Sequence, residues 1–214
     1  MSSIDEGISR TLVELKNKAE LMIDLAYSAI MLRSREIAEE VIKLEEYFDW
    51  IHSHFQMQVL TLYTQGHSRN EILGLLKLST YLENIADSAA RIAEAVLTGL
   101  EMRHIFPILR PAIESGEEFV SIVKVHENSP LVNKPLGKAL EDVLDIQVLA
   151  IRRGDEWFFN PSGDFILKAG DILIVRGYSE ALDDIRKITK TTVEEIEEIE
   201  ERFFEESEEE DEND

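Results

Sequence analysis

The sequence contains no cysteine, which excludes a disulfide framework and thiolate chemistry. It also lacks any apolar run near the ~20 residues that a membrane-spanning helix needs. The opening MSSIDEGISR carries two acids and no apolar core, so it does not read as a secretory signal. These absences fit a cytoplasmic protein. Positive charge is scarce: 22 Lys and Arg stand against 44 Asp and Glu, for a formal net charge of −22. Nucleic acid is a poor partner for such a chain. No G-x-G-x-x-G follows a strand-like segment, which argues against NAD-type ligands. No nucleophile motif occurs, and base chemistry has only His52, His54, His67, His104 and His126 to draw on, so no enzyme is expected.

Acidity is concentrated at the end. Residues 191–214 contribute −13 and the preceding 190 residues −9. A run such as 207–214 reads as a solvated tail. Before it, Val193, Ile196, Ile199 and Phe203 keep helical spacing and suggest a helix docked by one face.

Periodicity divides the rest in two. Ile8, Leu12, Leu15, Ala19, Met22, Ala26 and Ile30 recur at steps of three and four, predicting a helix over about 6–32. Glu36 opens a second helix, whose stripe is Ile37, Val41, Leu44, Phe48, Ile51, Phe55, Val59 and Leu62. Gly66 is a C-cap signal, and Ser68 with Glu71 reads as a capping box. A third helix follows through Leu75, Leu78, Leu82, Ile85, Ala89 and Val96 to about Gly99. Long helices on short loops pack antiparallel, which predicts a three-helix bundle. Pro107, Pro111 and Gly116 punctuate its end.

At Phe119 the period drops from 3.6 to 2. FVSIVKVHENS reads as a strand, NSPLVNKPLGKALEDV as a turn and short helix, and QVLAIRRGDEWFFN as two strands about Gly154-Asp155. PSGDFILKAGD leads into the apolar strand DILIVRGY, and Ser179 caps the helix SEALDDIRKIT. The fold class is therefore α+β in two domains: an all-α antiparallel three-helix bundle over 1–115 and a small α+β module over 116–190. An acidic C-terminal helix or tail occupies 191–214, and the boundary lies near 115–117.

One pattern recurs in the helical half. Residues 1–115 contain four Asp, and three of them have a Glu four positions upstream: Glu20/Asp24, Glu45/Asp49 and Glu83/Asp87. Like charges at that spacing repel by a few tenths of a kcal/mol. One pair falls in each helix, at the edge of its apolar stripe, and His52 joins the second pair on the same flank. Convergent carboxylates from neighbouring helices are what hard or borderline cations need, and an added His suits iron, manganese or zinc. The plainer alternative is a solvated helix edge, or pairing with Arg33, Arg91 and Arg103.

YLENIADSAARIAEAV and VIKLEEYFDWIH resemble the helices of PhoU-type proteins over about residues 8–105. That resemblance implies metal at Glu45/Asp49 and Glu83/Asp87, which His52 would join by its spacing, with Glu20/Asp24 less well matched, and a role in regulating phosphate uptake. PhoU proteins usually carry two three-helix units and this chain has one, so a symmetric cluster would need a second chain.

The later segment resembles the TrkA-C (RCK-C) domain through SPLVNKPLGKAL, VLAIRRG, the proline of FFNPSGD, and KAGDILIVRGY. Physically, Pro135 opens the short helix near Gly137, and Gly170-Asp171 makes a tight turn before a buried strand. The resemblance implies a regulatory, dimerising domain that binds a nucleotide-type ligand at Ile146, Val148, Arg152, Asn160 and Pro161. Arg152 and Arg153 suit an anion, although they could instead pair with acids such as Asp155. Together the two resemblances imply a non-enzymatic, ligand-sensing regulator of potassium or other cation transport. It would be a homodimer or a dimer of dimers, at the cytoplasmic side of a membrane transporter or channel subunit. The alternative is a metal-binding regulator of phosphate transport.

Overall fold

The computed structural model describes residues 3–98, 108, 111 and 118–211. Gly99, Arg103, His104, Pro107, Gly116 and the boundary expected at 115–117 lie outside the described residues, as do 212–214. The chain divides into two compact units, residues 1–26 with 36–98 and residues 27–35 with 99–214.

The first unit takes α1 (Ser3–Leu32) as far as Ala26, α2 (Arg35–Thr61) from Glu36, and all of α3 (Arg69–Leu97). A 3₁₀ turn at Leu62–Gln65 closes α2, and Gly66 ends it at φ 87, a left-handed conformation that costs glycine little. Ser68 and Glu71 form the capping box: the Ser68 hydroxyl accepts from Glu71 N, and Glu71 Oε2 accepts from Ser68 N at 2.8 Å. The whole α2 stripe from Ile37 to Leu62 is buried, with Phe55 and Val59 fully so.

On α3 the buried face differs from the expected stripe. Ile72, Ser79, Ala86, Ala89, Ala90 and Ala93 point inward, whereas Leu78 and Ile85 are 43% and 37% exposed. Small side chains permit close helix approach, so alanine and serine mark the seam where a leucine count favours another face.

In the second unit four antiparallel strands lie in the order β1 (Glu118–Lys124), β4 (Ile172–Tyr178), β2 (Ile146–Arg153), β3 (Glu156–Phe159). The two-residue loop Gly154-Asp155 joins β2 to β3, with Gly154 at φ 61. The short helix α4 (Leu136–Ala139) follows Pro135, and α5 (Ser179–Thr189) packs on β1 and β4. Val123, Val148, Ile151, Leu173 and Val175 project from one sheet face into a core with Leu131, Leu167, Leu182 and Ile185.

Strand alternation sends the intervening residues to the outer face. Ile122, Ile174 and Ala150 are aligned across it and fully buried, with Phe159 opposite Ala150. The last helix, α6 (Val193–Asp211), runs beside β1 and buries Ile196, Ile199 and Phe203, while Val193 stays 58% exposed. The expected one-faced docking is therefore present without Val193, and the helix continues to Asp211. No helix of the described residues is long and apolar enough to cross a membrane.

Candidate functional site

Because α2 and α3 are antiparallel, Glu45 and Asp49 on one come opposite Asp87 on the other. One carboxylate oxygen from each lies within 4.8 Å of the other two. Oxygens so spaced suit a hard cation with metal–oxygen distances of about 2.0–2.6 Å, so the donor set fits a divalent ion. Burial first, and then the negative charges of Asp49 and Asp87, push the Glu45 carboxyl above its usual range.

His52 and Glu83 meet beside this trio. His52 is buried and its Nδ1 lies 3.2 Å from Glu83 Oε1, while its Nε2 accepts from the Gln56 amide at 3.0 Å. Both ring nitrogens are thus engaged, and in this arrangement His52 orients Glu83. The third pair stands apart: Glu20 holds Lys16 at 2.7 Å and Asp24 is buried on α1.

A raised carboxyl makes the folded state bind more protons than the unfolded chain. The Glu45 penalty is therefore absent below the ordinary glutamate range and complete above the raised value. Glu45→Gln should raise the melting temperature of chelator-treated protein at pH 7, and the gain should vanish as pH falls below that range. Thermal melts across pH check this, and a gain that persists in acid would refute the assignment.

In the second unit Val148 is buried in the core and Ile146 packs against it, opposite Gly177. Asn160, at φ 45, follows β3 and donates its backbone N–H to Leu149 O at 2.8 Å, with Pro161 next in chain. This brings Asn160 beside the Val148 end of β2. Arg152 is further along, opposite Trp157.

The two arginines part company. Arg153 donates from Nε and an Nη to the two oxygens of Asp171 at 2.7 and 2.8 Å, and to Ile166 O. That hydrogen bonding raises the Arg153 pKa further above its ordinary value. Arg152 turns to the outer face, where its Cζ lies 5.0 Å from the Phe203 ring centroid and 5.8 Å from that of Trp157. Trp157 also stacks on Phe159 at 5.5 Å with an interplanar angle of 4°.

A family model of the PhoU domain matches residues 12–96, and one of the TrkA-C domain matches residues 120–190. The chain carries a PhoU domain followed by a TrkA-C domain. No curated protein matches the sequence. Among solved structures, the TrkA-C domain is similar to the RCK_C domain dimer of S. agalactiae BusR in complex with c-di-AMP. The identity is 16%, the match covers 35% of this chain and 94% of that one, and the TM-score is 0.32. The RCK C domain of the potassium transport protein KtrA, also with c-di-AMP, matches at 24% identity over 38% of this chain and 94% of that one, with a TM-score of 0.31. S. agalactiae BusR in complex with its promoter DNA matches at 11% identity over 71% and 87%, with a TM-score of 0.32. At these scores the likenesses carry no functional argument. The expectation of no nucleic-acid partner rests on the chain's charge alone.

Within the TrkA-C domain, sequence reasoning passed over Asp171 as a partner of Arg153 and over Trp157 and Phe203 as neighbours of Arg152. The alternation Trp157-x-Phe159, which puts two aromatics on one face, was the available signal for the second group. Nothing local marks Phe203, which lies more than forty residues along the chain.

Proposed function

We propose that the protein is a ligand-sensing regulator of cation transport with no enzymatic activity of its own. It would act as a homodimer or dimer of dimers beside a membrane transporter or channel subunit. The TrkA-C match over residues 120–190 carries this reading. In support, the outer sheet face offers an arginine for a phosphate and a tryptophan–phenylalanine platform for a base, the chemistry of a nucleotide-type ligand.

The test is calorimetric titration of the full chain with cyclic diadenosine monophosphate, the ligand named for BusR and KtrA. Binding of one ligand per two chains, lost in Arg152→Ala, is the expected result. A non-binding wild type, or an Arg152→Ala variant that binds equally well, would sink the ligand reading.

One observation favours a second reading. The convergence of Glu45, Asp49 and Asp87 falls inside the PhoU domain, which supports a metal-binding regulator of phosphate transport. Iron, manganese or zinc would be held by those carboxylates, with Glu83, oriented by His52, as the adjoining donor.

A further inference from the structure

The chain's own last helix reaches the outer face of β2 and β3 through Phe203. Across the sheet, Lys124, Ile172, Arg152 and Trp157 stand in one register row. Phe203 of α6 lies against the far end of that row, 3% exposed, with its ring 5.8 Å from Trp157 and 5.0 Å from the Arg152 guanidinium. An aromatic ring over a guanidinium and beside an indole is the arrangement that a stacked nucleobase would adopt on the same groups. Phe203 is a hydrocarbon occupant of that place.

The other end of α6 is fastened by polar contacts. Thr191 Oγ1 accepts from Lys124 N and donates to Lys124 O, both at 2.9 Å. Thr192 and Glu195 form a reciprocal cap, with Glu195 Oε2 accepting from Thr192 N at 3.0 Å and Thr192 Oγ1 accepting from Glu195 N at 3.2 Å. Glu195 Oε1 also lies 2.9 Å from His126 Nε2. Between the two ends only Ile196 and Ile199 are buried, while Glu197, Glu198 and Glu201 are exposed beside Arg202. The helix is therefore fastened by polar contacts at its start, buries Ile196 and Ile199 along its length, and reaches Arg152 and Trp157 through Phe203.

We propose that α6 is an autoinhibitory strap: Phe203 occupies the stacking place on Arg152 and Trp157, and a base-bearing anionic ligand must displace it to bind. The acidic surface of α6 opposes an anion arriving while the strap is down. Ligand binding and strap release are then linked, and the apparent affinity is the intrinsic affinity reduced by the fraction of molecules with the strap open.

This inference rests on the ligand reading above, and the experiment separates the two. Cyclic diadenosine monophosphate is titrated into full-length wild type, Phe203→Ala and Glu195→Gln. Glu195→Gln loosens the opposite end of the strap and carries the test if Phe203→Ala fails to fold. Phe203→Ala should bind roughly five- to tenfold more tightly, the factor expected for releasing one cation–aromatic contact, and Glu195→Gln should also bind more tightly. Arg152→Ala should abolish binding in either background. Unchanged or weaker binding by both variants, with a binding wild type, overturns the strap and leaves the ligand reading standing. Absence of binding in wild type and both variants removes the ligand reading and the strap with it.

Discussion

Asp171→Ala is expected to lower the melting midpoint of the TrkA-C domain by about 12 °C or more, from a loss of ~3–5 kcal/mol on breaking a buried ion pair. Asp171 is fully buried, and its two oxygens take both Arg153 bonds as well as the Lys168 N–H at 2.8 Å. Removing it strands a partly buried guanidinium and a backbone donor together. The pair also fixes where β2 ends relative to the turn that starts β4, since Arg153 reaches Ile166 O from the same side chain. Replacing both partners by Arg153→Met/Asp171→Leu should cost less than Asp171→Ala alone, because no charge is then left without its counterpart. Thermal unfolding of the three proteins decides the matter. A loss of no more than ~1 kcal/mol in Asp171→Ala would mean that the pair behaves like an exposed one.

The second large effect concerns the PhoU domain. Adding manganese, iron or zinc to chelator-treated protein should raise its melting temperature. Binding to the folded state alone stabilises by about 2.7 kcal/mol at a hundredfold excess over Kd. Glu45→Gln/Asp87→Asn removes two of the three converging carboxylates and should show no response to the same ions. Burial first, and repulsion by Asp49 and Asp87 second, raise Glu45 in the metal-free protein, and removing the Glu45 and Asp87 carboxylates should also start the double variant from a higher melting temperature. An unmoved wild-type midpoint, together with elemental analysis that finds no metal, would make the cluster a solvated helix edge. Glu20→Gln serves as a control, since Glu20 is held by Lys16 on the exposed surface of α1 and lies outside the cluster.

Much of this architecture is legible in the sequence. The α2 stripe, the Ser68–Glu71 cap, the Gly66 stop and the change of period at Phe119 each depend on neighbours within a few residues. Local physical chemistry therefore suffices to read them. The placing of Glu45, Asp49 and Asp87 at stripe edges follows from the 100° turn per residue. Their convergence also needed α2 and α3 to run antiparallel in one register. The α3 seam was misread because hydrophobicity ranks leucine above alanine, whereas close helix approach selects small side chains.

In the TrkA-C domain, alternation identified the strands but not their order. Tertiary pairing brought β4 between β1 and β2 and so aligned Lys124, Ile172, Arg152 and Trp157 in one row. Two adjacent arginines looked equivalent in the chain. The pleat sends them to opposite faces, where Arg153 finds Asp171 eighteen residues away and Arg152 finds Phe203. Composition, period and capping are properties of short windows, so residue order alone determines them. Which side chain completes a buried ion pair, or covers an arginine, depends on contacts between distant segments, and those exist only once the sheet has formed and α6 has docked.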